Sequence, residues 1–187
     1  MKSFFETVFH RASVRSYDSR PIPEAVWDHV LRAAMAAPTA VNRQPWEFVV
    51  IEHRATLDAL AEGLPYAKMA KQAPGAVLVC AVPARANQQR AEYAVLDASA
   101  ACENILLAAD ALGLGAVWTA VYPQADRQTV VRQILGVPED VIPLAFIPIG
   151  YPKVEEHPKD KYRPELIHRE RWHERERPLD MPPPEHH

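Results

Sequence analysis

The chain has 187 residues, of which 48% are hydrophobic and 24% charged, and its formal net charge is -3. This length favours one domain with a sizeable core, and the slightly acidic balance argues against a general nucleic-acid binder, which needs a basic excess. The sequence lacks the run of about 18 apolar residues that a membrane span needs, and it lacks a signal peptide, so we expect a cytoplasmic protein with no membrane partner.

The chain opens with a predicted short helix that leads into a basic segment. Ser3 and Glu6 have the spacing of a capping box, and apolar residues recur at helical intervals up to Phe9. The following Arg11-Ala12-Ser13-Val14-Arg15, here called the grip segment, is predicted to turn into extended chain, in which alternate side chains share a face. We expect it to present two guanidinium groups and a hydroxyl to one anion, although by itself it also fits a solvated turn.

Beyond the grip segment the pattern predicts both helices and strands. Helices are expected over residues 23–36, 54–63, 67–72, 91–112 and 126–135, and strands over residues 46–51, 75–82, 115–121 and 144–149. Asp126 is expected to cap its helix, and Gly113 and Gly136 to end theirs in the left-handed conformation. Pro148 predicts that the last strand lies toward an edge of the sheet, because proline removes a ladder donor.

The helix over residues 91–112 is predicted to form the spine of the core. Its buried candidates are Val95, Leu96, Ala100, Ile105, Leu106 and Leu112. Asp97 and Glu103 on the same helix are expected to be hydrogen-bonded or interface groups, not acid–base catalysts. Cys80 and Cys102 lie in apolar runs and are predicted to be core residues, not a disulfide or a metal pair.

Two loops beside predicted strands carry candidate ligand contacts. In residues 38–46, Thr39, Asn42 and Gln44 offer uncharged donors and acceptors, which suit a heteroaromatic ring edge or a polyol, although the loop by itself also fits ordinary turn chemistry. Residues 113–119 combine glycines with Trp118, but they lack the third glycine of a dinucleotide-binding fingerprint and follow a helix, not a strand. A Rossmann site is therefore disfavoured.

Composition changes after residue 152. Residues 153–187, here called the arm, contain many charged residues and histidines and few aliphatic residues with which to build a core. Apolar anchors such as Tyr162 and Trp172 leave two possibilities, that the arm is disordered or that it packs across a partner subunit. Its histidines do not have the spacing of a zinc site, and no metal site is predicted.

Three blocks of the sequence, in their order, resemble the nitroreductase family of FMN-dependent oxidoreductases. They are HRASVRSYDSRPIPEAVWDHVLRAAMAAPTAVNRQPWEFVVIE, then EYAVLDASAACENILLAADALGLGAVW, and finally IPIGYP followed by KYR. The resemblance implies an α+β fold, a mostly antiparallel sheet covered by helices, paired into an intertwined homodimer with two FMN sites. Residues 1–152 would form the FMN-binding domain, and residues 153–187 would complete the phosphate site and pack on the partner.

The resemblance also assigns residues to the cofactor. The implied FMN-binding set is Arg11, Ala12, Ser13, Arg15, Pro38, Thr39, Asn42, Gln44, Trp118, Thr119, Lys161 and Arg163. In this assignment Arg11 and Ser13 of the grip segment hold the phosphate, and Arg15 reaches the N1 and O2 edge of the flavin ring. Lys161 and Arg163 of the arm add positive charge at the phosphate. The loop over residues 38–44 comes from the other subunit, and Trp118 and Thr119 lie beside the ring.

The activity implied is hydride transfer from NAD(P)H as co-substrate, followed by reduction of a small acceptor such as a nitroaromatic, a quinone or an activated alkene. No side chain is expected to act as nucleophile or general base, because flavin N5 carries the hydride. Two alternatives stay open: a same-fold reductive dehalogenase or flavin-degrading enzyme, and a flavin-binding sensor or store without turnover. The short connection over residues 82–90 predicts an open pocket without a large lid.

Overall fold

A computed structural model describes residues 2–154 and 156–172, which place helices on both faces of one sheet. The helices are α1 (Phe4–His10), α2 (Glu24–Met35), α3 (Arg54–Gly63), α4 (Ala91–Ala111) and α5 (Ala125–Leu135). The strands are β1 (Trp46–Ile51), β2 (Gly75–Ala81), β3 (Gly115–Ala116), β4 (Thr119–Ala120) and β5 (Ile142–Gly150). Short 3₁₀ turns occupy Ala40–Asn42, Lys68–Lys71, Pro83–Arg85, Asn87–Gln89 and Pro164–Leu166.

Every strand pairing in the sheet is antiparallel, in the order β1-β2-β5-β3, with β4 also paired to β5. Side chains of α2 and α4 pack on one face of the sheet, and those of α3 and α5 pack on the other. Since β2 is covered on both faces, all of its residues are buried and its sequence shows no polar alternation. The predicted α+β arrangement with a mostly antiparallel sheet is confirmed.

The position of β5 corrects one prediction, because this strand lies inside the sheet and not toward its edge. Pro148 is paired with Ala76 of β2, and on its other side its carbonyl accepts a hydrogen bond of 3.3 Å from the Val117 N–H. The missing proline N–H faces the interruption between β3 and β4, where the ladder is already broken. The same interruption splits the continuous strand predicted over residues 115–121 into β3 and β4.

Two helix predictions are also wrong in detail. The cap of α5 is Gln124, so Asp126 lies within the first turn, where its charge favours the helix dipole but does not cap the helix. Leu96 is 66% exposed, because it projects away from the buried line of α4 that includes Ala94, Ala98 and Ala101.

Other local predictions are confirmed. Gly113 and Gly136 have φ angles of 78° and 69°, and the Ser3–Glu6 capping box is formed. Cys80 and Cys102 are buried and unpaired; burial raises the pKa of the Cys80 thiol to about 12 and raises the pKa of Cys102 as well.

None of the helices in the described part of the chain has the length and hydropathy of a membrane span. Within residues 2–154 and 156–172, no group of three or more His, Cys, Asp or Glu side chains is arranged to hold a metal ion. The arm beyond residue 172 lies outside the described residues.

Candidate functional site

The grip segment is fixed along β3. Ser13 forms a parallel bridge with Ala116, and the Val14 N–H donates to the Ala116 carbonyl at 3.1 Å. Gly115 permits this approach, because a Cβ at that position would lie 2.5 to 2.7 Å from three side-chain atoms of Val14. The absence of a side chain at Gly115 is therefore what lets the grip segment reach the sheet.

Tyr17 anchors the same segment from the interior. Its side chain is buried, its hydroxyl donates to the Val14 carbonyl at 2.6 Å, and the Pro148 carbonyl lies 3.2 Å away. Burial raises the pKa of Tyr17 far above its usual value, so the hydroxyl stays protonated and continues to donate. Val14 is thus buried and held from two sides, while Ser13 and Arg15 are exposed.

Helix α1 delivers Arg11 to this place. Asp110 of α4 holds α1, with the His10 Nδ1 at 2.7 Å from one carboxylate oxygen and the Lys2 Nζ at 3.1 Å from the other. The Arg11 Nε lies 3.6 Å from a Glu103 carboxylate oxygen. An anion bound by Arg11 would share its guanidinium group with Glu103.

The loop over residues 38–44 has an unusual backbone. Val41, Asn42 and Gln44 have φ angles of 49°, 56° and 51°, although none of them is glycine. Non-glycine residues in the left-handed region are uncommon, and they concentrate at functional sites. The turn is closed by the Gln44 N–H donating to the Thr39 hydroxyl oxygen at 3.1 Å, and both Asn42 and Gln44 are exposed.

Asp97 of α4 clamps this loop to the core. It is buried, and its two carboxylate oxygens lie 3.1 and 3.3 Å from the Ala40 nitrogen, whose N–H donates to them. The expectation that Asp97 is hydrogen-bonded is confirmed, and its partner is the loop backbone. Asp97 and Glu103 are separated by about 240° of helical rotation, so the loop and the grip segment contact different sides of α4.

Trp118 and Thr119 lie at the interruption between β3 and β4. Trp118 is half-buried and packs against the core, whereas Thr119 is buried and its hydroxyl donates to the Phe146 carbonyl. Trp118 therefore lies just after β3, the strand to which the grip segment is bridged. The hydroxyl proton of Thr119 is already engaged inside the sheet.

The arm begins beside the grip segment. The Asp18 N–H donates to the Tyr151 carbonyl at 2.9 Å, and the Lys153 N–H donates to the Ser16 carbonyl at 3.0 Å. Farther along, Lys161 is exposed and Arg163 is half-buried. Within the described residues, neither of these two cations is joined to the grip segment by a hydrogen bond or ion pair.

Large apolar side chains are exposed on the elements that carry the site. On α1, Phe4, Phe5 and Phe9 are 69%, 66% and 70% exposed, and Val41 of the loop is 71% exposed. Exposed apolar surface of this extent indicates an interaction surface.

Comparison with known proteins identifies one family. The sequence model of the protein family described as "Nitroreductase family" matches residues 8–151 of this chain. A Methanothermobacter thermautotrophicus protein named "Putative NADH dehydrogenase/NAD(P)H nitroreductase" is 43% identical, over 89% of this chain and 86% of its own length. A crystal structure under the same name from Bacteroides thetaiotaomicron has 46% identity and a TM-score of 0.86, over 92% of this chain and 99% of that chain. A Desulfovibrio desulfuricans structure, described as a "putative nitroreductase in complex with fmn", has 25% identity and a TM-score of 0.77, over 92% of this chain and 99% of that one.

Proposed function

The chain belongs to the nitroreductase family of NAD(P)H-dependent oxidoreductases, and we propose that it binds FMN between two copies of itself and passes electrons from NAD(P)H to a small acceptor. Nitroaromatics, quinones and activated alkenes are the acceptor classes proposed. The observation that carries the proposal is the grip segment, whose centre is fixed at Val14 while Ser13 and Arg15 remain exposed.

The grip segment fits the chemistry of FMN. Arg11, Ser13 and Arg15 all have donor groups, which a phosphate and the N1 and O2 edge of the ring can accept. Because Val14 is buried between the exposed Ser13 and Arg15, the alternation expected for an extended chain is present. The similar Desulfovibrio desulfuricans structure, which was solved in complex with FMN, adds support.

A second copy of the chain would complete the site. The loop over residues 38–44 and the grip segment contact different sides of α4. This favours a site in which the loop of one chain meets the grip segment of its partner. The exposed phenylalanines of α1 and the exposed Val41 supply apolar surface for such a partner to cover. In this arrangement Pro38, Thr39, Asn42 and Gln44 of each chain contact the flavin held by the other.

When bound, FMN supplies the ring chemistry that accepts hydride from the nicotinamide and delivers electrons to the acceptor. Arg11 and Ser13 bind the phosphate, and Lys161 and Arg163 of the arm add positive charge there. Arg15 holds a positive charge at the N1 and O2 edge, where negative charge develops on reduction.

The remaining residues position the ligands and exclude water. In this arrangement Trp118 and Thr119 lie beside the ring, and Thr119 is held in the sheet by the hydrogen bond from its hydroxyl to the Phe146 carbonyl. No side chain of this chain is assigned as a nucleophile or general base. The protein thus acts by orienting two small molecules in turn over one ring.

Two other functions share this fold. A reductive dehalogenase or flavin-degrading enzyme would bind the cofactor in the same way but would require added contacts to its substrate. The connection between β2 and α4 is short, consisting of two 3₁₀ turns, and leaves no lid segment for such contacts. A sensor or store could have the same grip segment without turnover, and only a reaction with NAD(P)H separates it from the reductase.

The proposal is tested by the visible spectrum of the purified, FMN-reconstituted protein. Under anaerobic conditions, NADH or NADPH should bleach the flavin band, and a nitroaromatic, quinone or enone acceptor should restore it. A folded protein that binds no FMN would reject the cofactor assignment. Bound flavin that neither dinucleotide bleaches would favour the sensor or store, and reoxidation by halogenated aromatics alone would favour the dehalogenase.

A further inference from the structure

A concavity of about 640 Å³ lies next to the loop over residues 38–44 and has no role in the site described above. Its lining residues are Arg43, Ala84, Arg85, Ala86, Gln88 and Gln89. Two of these are guanidinium groups, two are primary amides, and none is a carboxylate. A surface of this kind provides many hydrogen-bond donors and a positive charge, which phosphate oxygens accept.

Arg85 joins the lining of the concavity to the sheet. The Arg85 Nη2 lies 2.8 Å from a Glu47 carboxylate oxygen and also donates to the Trp46 carbonyl. The Val82 N–H donates to the Pro45 carbonyl at 2.8 Å, which joins this connection to the end of the loop over residues 38–44. Because Glu47 balances its charge, Arg85 acts mainly as a fixed part of the surface.

Arg43 is the cation that a ligand would meet. It is exposed, and within residues 2–154 and 156–172 no carboxylate lies within ion-pair distance of it. Its backbone is fixed between the left-handed residues Asn42 and Gln44, and its N–H donates to the Ala40 carbonyl at 3.3 Å. Arg43 lines the concavity, whereas its neighbours Asn42 and Gln44 do not. The backbone of this loop therefore separates the Arg43 side chain from the two amides assigned to the flavin.

Another part of the lining is a tight turn at Gln88 and Gln89. Gln88 and Gln89 have φ angles of 53° and 54°, and the turn is closed by the Gln89 N–H donating to the Ala86 carbonyl at 3.0 Å. Two successive non-glycine residues in the left-handed region are unusual. Here both glutamines line the same concavity as Arg43.

We propose that this concavity binds the phosphate groups of the nicotinamide dinucleotide, with Arg43 as the main cationic contact and Gln88 and Gln89 as neutral donors. The inference rests on the proposed function, because it requires a flavin beside Asn42 and Gln44. A dinucleotide that stacks its nicotinamide on the ring extends its phosphates to one side of the ring. Arg43 adjoins both loop amides in sequence and has a planar fork of donors suited to phosphate.

Calorimetric titration of the FMN-loaded protein with NADP⁺ and NAD⁺ tests this site. Arg43→Gln should weaken binding about tenfold or more, since a charge-assisted contact is lost. Arg32→Gln is the matched control, because Arg32 is an exposed arginine of α2 outside the concavity, and it should bind both dinucleotides as the wild type does. Weaker binding of NADP⁺ alone would assign Arg43 to the 2′-phosphate, and equal weakening of both would assign it to the pyrophosphate; either result supports the site.

The two glutamines of the lining give an independent variant. Gln88→Ala combined with Gln89→Ala should also weaken dinucleotide binding, while FMN content and melting temperature report whether either variant disturbs the fold. Wild-type affinity in both variants, with wild-type flavin still reduced by NAD(P)H, would overturn this inference and leave the proposed function intact. A wild-type flavin that neither dinucleotide reduces would instead refute the proposed function.

Discussion

The contact between Gly115 and Val14 predicts a large effect from one methyl group. In Gly115→Ala the new Cβ would lie 2.5, 2.6 and 2.7 Å from three side-chain atoms of Val14. Carbon atoms do not approach so closely, and the β-branched Val14 has few rotamers with which to move aside. The substitution must therefore separate the grip segment from β3, or displace β3 itself.

The expected cost follows from overpacking. Extra methyl groups in a packed interior cost about 1–3 kcal/mol, and in a chain of this size each kcal/mol lowers the melting temperature by about 2–4 °C. We therefore expect a decrease of about 2–12 °C in Gly115→Ala. The hydrogen bond of 3.1 Å from the Val14 N–H to Ala116 would be strained as well, so FMN affinity should fall about tenfold or more.

Thermal melts of the apoprotein and FMN titrations measure both effects. Val14→Gly removes all three of the atoms that clash, so the double variant should recover much of the FMN affinity lost in Gly115→Ala. Gly113→Ala is the matched control, because its φ of 78° makes alanine strained while nothing lies within 4 Å of its Cβ; it should lower the melting temperature and leave FMN affinity unchanged. Wild-type FMN affinity in Gly115→Ala would refute this packing argument, and a double variant with no recovery would show that Val14 is not the obstacle.

Three further predictions concern single side chains. Asp97→Ala should weaken FMN binding about tenfold or more, because the hydrogen bonds from the Ala40 N–H to the carboxylate are lost. Asp97→Asn keeps an acceptor oxygen and should retain most of the affinity. Equal loss of FMN affinity in both variants would contradict the role of Asp97 in holding the loop. Arg15→Ala should make the two-electron potential of bound FMN about 20–40 mV more negative, which corresponds to the loss of about 1–2 kcal/mol from an exposed charge. An unchanged potential in spectroelectrochemistry would reject the role of Arg15 at the ring edge. Cys80 and Cys102 should react with a thiol reagent only in denaturant, because burial raises the pKa of the Cys80 thiol to about 12 and also raises that of Cys102; rapid reaction of the native protein would contradict their burial.

The parts of the fold that the sequence predicts well have local signals. The limits of β1 and α3 agree with the prediction because an apolar strand run and a helical repeat are visible within a few residues. The interior position of β5 has no local signal: Pro148 is tolerated only because β3 and β4 are interrupted opposite it. That arrangement depends on residues far away in the chain.

The candidate site divides in the same way. The alternation of Ser13, Val14 and Arg15 can be predicted from the spacing of an extended chain. The contacts that position them cannot, since Gly115 is far from Val14 in sequence and Asp97 is far from Ala40. The left-handed backbone of the loop over residues 38–44 is also hidden, because no glycine marks it.

A flavin site shared by two chains can be tested directly by complementation. One copy would carry Arg11→Ala with Arg15→Ala, the other would carry Asn42→Ala with Gln44→Ala, and co-expression with different tags would allow mixed dimers to be purified. Each parent dimer should have little FMN and little NAD(P)H-dependent reductase activity, because both of its sites are defective. A mixed dimer has one intact site and one doubly defective site, so it should bind about one FMN per two chains and have about half of the wild-type activity. Mixed dimers as inactive and flavin-poor as both folded parents would contradict the shared site.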